Sequence, residues 1–316
     1  MARTDPSPMQ AQYPASGRTV IFLHIGKTGG TTLRKIIYRN YPKSEILLVR
    51  ARRRPREETL ADFARLPEAE RSRPRLIVGH TVYGLHEFIP RPSTYITIVR
   101  RPTSLVLSQY AFVQRRPGHR HHDLVTATGM SLEEYLDGGI SMEMDNSQTR
   151  AISGDLDTPY GRCTNEMLAR AKDNLDRNFA VAGVTERFDE MLVMLKQVFG
   201  WIKIHYVPSN VSPPSGRPKV SPKTLRRIEE QNHLDAELYR YVNERFDQMR
   251  QRYPAFDGDY TRFERTNAWY RPWGDLRYTY PQRIYRRFVG AKREESMAGP
   301  SFRSSDPEIP SHPPSG

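Results

Sequence analysis

At 316 residues with a single cysteine, the chain is long enough to bury a large core and cannot close an intrachain disulfide. A hydrophobic share of 37% suits a soluble enzyme with polar tails, and no apolar run approaches the length of a membrane-spanning helix. The formal charge of +13 points to an anionic partner without choosing among nucleic acid, acidic glycan and nucleotide.

Met1 to Gly17 is rich in Pro, Ser and Gln, has no apolar signal-peptide core, and reads as a tail without fixed structure. Val20 to Ile25 is a continuous apolar and β-branched run, as expected of a strand buried on both faces. Gly26-Lys27-Thr28-Gly29-Gly30-Thr31-Thr32 follows, and from Thr31 the pattern turns helical through Leu33, Ile36 and Ile37. A strand, a Gly-rich turn and a helix N-terminus make a place for an anion: backbone N–H groups and the helix dipole favour negative charge, and Lys27 adds a full positive one. A nucleotide P-loop of the form Gly-x4-Gly-Lys-[Ser/Thr] needs a glycine where this chain has Ile21.

Further strands are predicted at Glu45 to Arg50, Arg75 to His80, Thr94 to Arg100 and Phe179 to Val184. Between them, helical spacing runs through Leu60, Phe63 and Leu66, and over Ser104 to Arg115 behind Pro102. Ser131-Leu132-Glu133-Glu134 is a capping box. Helices are also expected over Thr164 to Arg177, over Phe188 to Phe199 with Gly200 closing it, and as one long helix from Ser221-Pro222 to Phe246. Beyond Tyr253 the chain is aromatic and arginine-rich without clean periodicity, and 292–316 reads as a second tail. The expectation is α/β: a mainly parallel sheet with helices on both faces, as one domain over 18–291. Ligands of such sheets lie at the carboxyl ends of the strands, where Lys27, His80 and Arg100 all fall.

The order Lys-Thr-Gly-Gly-Thr-Thr after a buried strand resembles the 5′-phosphosulfate loop of sulfotransferases that use 3′-phosphoadenosine 5′-phosphosulfate (PAPS), with the nearest likeness in the heparan-sulfate 2-O and 6-O branch. Arg100-Arg101-Pro102-x-x-Leu105-x-x-Ser108-x-Tyr110 is similar to the 3′-phosphate element of these enzymes, Arg-Asp-Pro-x-x-Arg-x-x-Ser-x-Tyr. Arg101 and Leu105 depart from it; the resemblance implies that the aspartate is structural, whereas Leu105 replaces an arginine that would make either a salt bridge or an acceptor contact. Asp145-Asn146-Ser147-Gln148-Thr149-Arg150 resembles the Asn-x-Gln-Thr-Arg segment of the 6-O type. The likeness covers roughly residues 19 to 250, and its specific part is the two phosphate motifs.

The resemblance implies a P-loop-like fold, PAPS as co-substrate, no metal, and a carbohydrate or glycoconjugate acceptor. It implies that Lys27, Thr28, Gly29, Gly30, Thr31 and Thr32 hold the 5′ end, and Arg100 and Ser108 the 3′-phosphate. His80 is the implied general base, an imidazole suited to taking a proton from an alcohol near neutrality. Asn146, Gln148 and Arg150 are candidate acceptor-side residues. His24 is expected in the core, and His119, His121 and His122 on an exposed loop facing substrate. Lacking an N-terminal anchor-like run, the chain is expected in the bacterial cytoplasm, at most peripheral to the inner membrane face, and without specific nucleic-acid binding. An anionic oligosaccharide, a neutral glycan and a lipid-linked sugar all fit as acceptor. An ATP-dependent kinase and a non-catalytic basic binding module are the rival readings.

Overall fold

The computed structural model describes residues 17–49, 55–79, 81–208, 220–274 and 302–304. Five parallel strands form the sheet: β1 (Thr19–Leu23), β2 (Ile46–Val49), β3 (Leu76–Gly79), β4 (Ser93–Val99) and β5 (Phe179–Val184). Their order across the sheet is β5-β4-β1-β3-β2. β1 therefore sits in the middle, with β3 on one side and β4 on the other. Strands on the two sides of β1 are reached by opposite crossovers, and a crevice opens at its carboxyl end.

The apolar runs make strands buried on both faces, and alternation sorts their side chains. Val20, Phe22, Ile96 and Ile98 enter one core; Ile21, Leu23, Tyr95 and Val99 enter the other. The first core is closed by α1 (Gly30–Tyr38), α9 (Phe188–Phe199) and α12 (Phe256–Gly274), through Leu33, Ile37, Leu195 and Phe263 among others. The second is closed by α2 (Arg56–Ala64), α8 (Asn165–Asn178) and α11 (His233–Gln251), through Phe63, Leu175 and Leu238. Each such fully buried side chain contributes about 1.5–3 kcal/mol. Helices lie on both faces, as the sequence pattern predicts.

A third, smaller cluster lies beside the crevice. It joins α4 (Pro102–Arg115), α5 (His122–Ala127), α6 (Leu132–Asp137) and α10 (Pro222–Gln231) through Val106, Val113, Val125, Tyr135 and Ile228. Tyr110 of the second motif belongs to this cluster, and its hydroxyl donates to the Met130 carbonyl at 2.5 Å. The capping box of α6 forms as expected, with Glu134 N–H donating to Ser131 Oγ. The remaining helices are α3 (Glu68–Ser72) and α7 (Ser147–Ser153).

Three expectations change. The long helix over 221–246 is two helices, because the Asn232 amide donates back to the Ile228 and Met144 carbonyls and competes with the helical ladder. The stretch beyond Tyr253 forms α12, which buries Phe256, Phe263 and Asn267 at widely spaced positions between charged residues. Within 292–316, Phe302–Ser304 pairs antiparallel with β2 as β6. Apart from Gly17, the tail at 1–17 lies outside the described residues, as do Arg50 to Arg54, His80 and most of 275–316. Among the described residues no helix is long and apolar enough to cross a membrane.

Candidate functional site

β1 stops at Leu23 because threonine hydroxyls take over its carbonyls: Thr81 Oγ1 donates to Phe22 O at 2.6 Å, and Thr97 Oγ1 to Leu23 O at 2.8 Å. His24 is thus outside the strand. It is not a core residue but a half-buried wall of a cavity, with its ring stacked on Phe22 at 5.3 Å. Gly29 adopts φ +88° as N-cap of α1, and no side chain caps that helix. The glycine makes the left-handed turn without strain, leaving the positive end of the helix dipole to a ligand. Gly30 is constrained differently: a Cβ there would lie 2.1 Å from His24 Cδ2. Gly30→Ala should therefore destabilise the fold by about 1–3 kcal/mol through overpacking. Adding His24→Ala should recover most of that loss in thermal unfolding, since the two substitutions share one clash.

Lys27 has φ +61°, a left-handed conformation that side-chain-bearing residues seldom adopt. Three side chains hold the turn in that shape. Arg100 Nη1 donates to Lys27 O at 2.9 Å, Thr28 Oγ1 to Ile25 O at 2.9 Å, and Thr185 Oγ1 to Thr28 O at 2.7 Å. Thr185 also donates to Val99 O at 3.0 Å, tying the loop to the end of β4. The Lys27 ammonium lies 4.0 Å from the Phe112 ring centroid. Burial, then the charges of Arg115 and Arg100, pull its pKa down to about 8, against an opposing pull from Glu143. At neutral pH it is still mostly charged, but partly stripped of water, which strengthens its attraction to an anion.

The other predicted phosphate ligands divide. Thr28 is buried and its hydroxyl is spent inside the turn, so its side chain faces away from a ligand. Thr31 is half-buried and Thr32 nearly buried in the first turn of α1. Arg100 reaches the same loop from the end of β4. Ser108 is half-buried on α4, one turn before Phe112 and so on the same helix face.

Asn146, Gln148 and Arg150 are not open acceptor ligands. All three are buried and hydrogen-bonded within the protein. Gln148 accepts from Arg100 N at 2.7 Å and donates to Arg100 O at 2.9 Å, clamping the peptide that aims Arg100. Asn146, at φ +46°, donates to Asp145 Oδ1 and Gln231 O and accepts from Asp235 N. Arg150 is 2% exposed; it pairs with Asp145 Oδ2 at 2.5 Å and donates to the carbonyls of Asp145, Thr158 and Pro159. The Asp235 carboxylate, buried on α11, caps α7 by accepting from Gln148 N and Thr149 N. Their polar groups are thus engaged within the protein, and Arg150 also lines the cavity beside Lys27. The histidines 119, 121 and 122 are likewise half-buried: His121 Nδ1 meets Tyr135 OH and His122 Nδ1 meets Val113 O. Among the described residues no group of three or more His, Cys, Asp or Glu is arranged for a metal. Cys163, its thiol pushed up to about 12 mainly by burial, is unsuited to act as a nucleophile.

Next to the loop lies a cavity of about 300 Å³, bounded by the end of β1, Thr81 and Val82 after β3, Leu105 and Gln109 of α4, Met142, Glu143, and Ala151 of α7. His80 lies outside the described residues, but its chain neighbour Thr81 is part of this wall. The Gly-rich turn with its uncapped helix N-terminus and a cavity of this size thus meet at Lys27. The family model for galactose-3-O-sulfotransferases matches residues 2–254. The chain belongs to this sulfotransferase family. It is 28% identical over 280 residues to heparan-sulfate 6-O-sulfotransferase 2 of Gallus gallus, covering 74% of this chain and 69% of the relative. It is 27% identical over 277 residues to heparan-sulfate 6-O-sulfotransferase 1 of Homo sapiens, covering 73% and 66%. To human galactose-3-O-sulfotransferase 3 it is 26% identical over 245 residues, covering 72% and 56%. The chain spans about two-thirds or less of these relatives.

Of the side chains that hold the loop, Arg100 and Thr28 were among the candidate residues in the sequence, whereas Phe112, Thr185, Gln109 and Glu143 were not named as site residues. Phe112 could have been found as the residue one helical turn beyond Ser108. Thr185 had a weaker signal, a hydroxyl directly after β5. Gln109 and Glu143 had none, since they meet only through the packing of α4 against the 142–144 turn.

Proposed function

We propose that the protein transfers the sulfuryl group of PAPS to a hydroxyl of a carbohydrate or glycoconjugate. The observation that carries this reading is the convergence of Lys27, Arg100 and an α1 N-terminus without side-chain cap on one strained turn beside a sugar-sized cavity. The residues fit the donor: Gly29 turns the chain so that a phosphate can approach the helix end, and Lys27 supplies a partly desolvated cation. PAPS would supply an activated sulfate joined to a phosphate. Lys27 and the backbone of Gly29 to Thr32 would hold that end and stabilise charge developing on the leaving oxygen. Arg100 and Ser108 would hold the 3′-phosphate, and His80 would take the proton of the acceptor hydroxyl. Positioning and charge stabilisation do most of the work in such a transfer, as in phosphoryl transfer.

A kinase reading is disfavoured by Ile21. The glycine a nucleotide P-loop needs would fall in the middle of β1, where Ile21 is fully buried between Ile77 and Tyr95. Calorimetry separates the two: adenosine 3′,5′-bisphosphate should bind tightly with or without EDTA, and ATP weakly. Binding of ATP without the bisphosphate would overturn the proposal. The pH dependence follows from Lys27. Its pKa is lowered, so its charge is lost as pH rises through about 8, not near the ordinary 10.5. Bisphosphate affinity should be flat from about pH 7 to 7.5 and fall above about 8, approaching tenfold per unit until the pKa of the complex is reached.

A further inference from the structure

We propose that Thr185 and Gln148 are positioning residues that fix the spacing between the two ends of the donor site. Through that spacing they make the protein select a nucleotide phosphorylated at both its 5′ and 3′ positions; this rests on the sulfotransferase reading. Three parallel strands end side by side here. Leu23 of β1 pairs with Thr97 of β4, and Val99 of β4 with Val184 of β5. The loop holding Lys27 and the residue Arg100 therefore leave adjacent strands, and Thr185 leaves the next one. Thr185 Oγ1 shares its hydrogen between Thr28 O at 2.7 Å and Val99 O at 3.0 Å, so one hydroxyl bridges the two segments. Arg100 Nη1 donates across the same gap to Lys27 O at 2.9 Å. Gln148, from α7, fixes Arg100 itself by accepting from its N–H at 2.7 Å and donating to its carbonyl at 2.9 Å. The carbonyls of Lys27 and Thr28 in the loop, and of Val99 and Arg100 at the end of β4, are thus each held by a side chain from another element.

Backbone strain gives this bracket its purpose. Lys27, at φ +61°, holds a left-handed conformation that persists only where the surroundings over-determine it. Gln148 is placed in turn by Asp235 of α11, a carboxylate that the transfer reaction does not use. Asp235 Oδ2 accepts from Gln148 N at 3.1 Å, and its Oδ1 accepts from Thr149 N at 2.7 Å. Both Gln148 and Asp235 are 0% exposed, so the bracket is anchored in the interior and not at the surface. A ligand that reaches two sites gains from the second contact only when their separation matches its own. A shift of about 1 Å at one of them forfeits much of that gain. A nucleotide with a single phosphate meets one site alone and is indifferent to the separation.

Calorimetry with adenosine 3′,5′-bisphosphate and adenosine 5′-phosphate tests this on the full chain. The wild type should bind the bisphosphate at least ~100-fold more tightly, the value of one charge-assisted phosphate contact. Thr185→Val keeps the side-chain shape, removes the hydroxyl, and should cut that ratio by at least ~10-fold. The loss should fall on the bisphosphate, with 5′-phosphate affinity within ~3-fold of wild type, because Lys27 and the α1 N-terminus are local to the loop. Thr185→Ser restores the hydroxyl and should bring the ratio back to within ~3-fold of wild type. Gln148→Met, similar in length but unable to hold the Arg100 peptide, should cut the ratio in the same direction and tests the bracket from its other side. An unchanged ratio in either variant, an equal loss of both ligands, or no recovery in Thr185→Ser would overturn the proposal while leaving the sulfotransferase reading intact. Absence of bisphosphate binding by the wild type would remove that reading, and this proposal with it.

Discussion

Replacing Lys27 by alanine should weaken adenosine 3′,5′-bisphosphate binding by at least ~100-fold, the loss expected when a charge-assisted contact worth about 3 kcal/mol disappears. The effect should be large because the ammonium is partly desolvated and braced against Phe112 at 4.0 Å, so little reorganisation is needed to meet an anion. Alanine bears the same left-handed backbone strain as lysine at position 27, where φ is +61°, and the hydrogen bonds that hold the turn come from Arg100, Thr28 and Thr185, so the substitution leaves them in place. Thermal unfolding should consequently move little, while calorimetry shows the loss of affinity. Retention on heparin, governed by the overall charge of +13, should barely change. A Lys27→Ala protein that binds bisphosphate as the wild type does would remove the loop from the site.

The largest stability effect should come from a residue that meets no ligand. Asp145→Ala strands the Arg150 guanidinium, 2% exposed, without its counter-ion. Breaking such a pair from one side costs about 3–5 kcal/mol, because the remaining charge is left buried. For a domain of this size that is a fall of roughly 6–20 °C in Tm. The same carboxylate also accepts from Gly161 N at 2.8 Å and Asn146 Nδ2 at 2.9 Å, so the 145–161 segment loosens with it. Asp145→Ala combined with Arg150→Met should recover much of the loss, since an apolar pair removes the charge altogether. Scanning calorimetry of the two variants checks this; equal Tm values for single and double variants would contradict it.

The parallel sheet was legible because strands buried on both faces leave an unbroken apolar run, as at Val20 to Leu23 and Phe179 to Val184. Helices with a cap and a periodic stripe were equally legible, as at Thr164 and over Phe188 to Phe199. α12 escaped because its buried residues, Phe256, Phe263 and Asn267, are too sparse to form a stripe. In the site, Lys27 and the glycines could be read because their chemistry is local. Gln148 could not: its position marks it as polar, but only the fold shows that its amide grips the Arg100 peptide rather than a sugar. His24 was expected in the core because the apolar run continues to Ile25, whereas the strand ends at Leu23, where the hydroxyls of Thr81 and Thr97, distant in sequence, take its carbonyls.

Incubation with 35S-labelled PAPS and a galactose-terminated acceptor, with EDTA present, tests the central claim most directly. Label should appear on the sugar for the wild type and be lost in His80→Ala, with bisphosphate affinity retained in that variant. No transfer of 35S, together with transfer of phosphate from labelled ATP to the same sugar, would contradict the account.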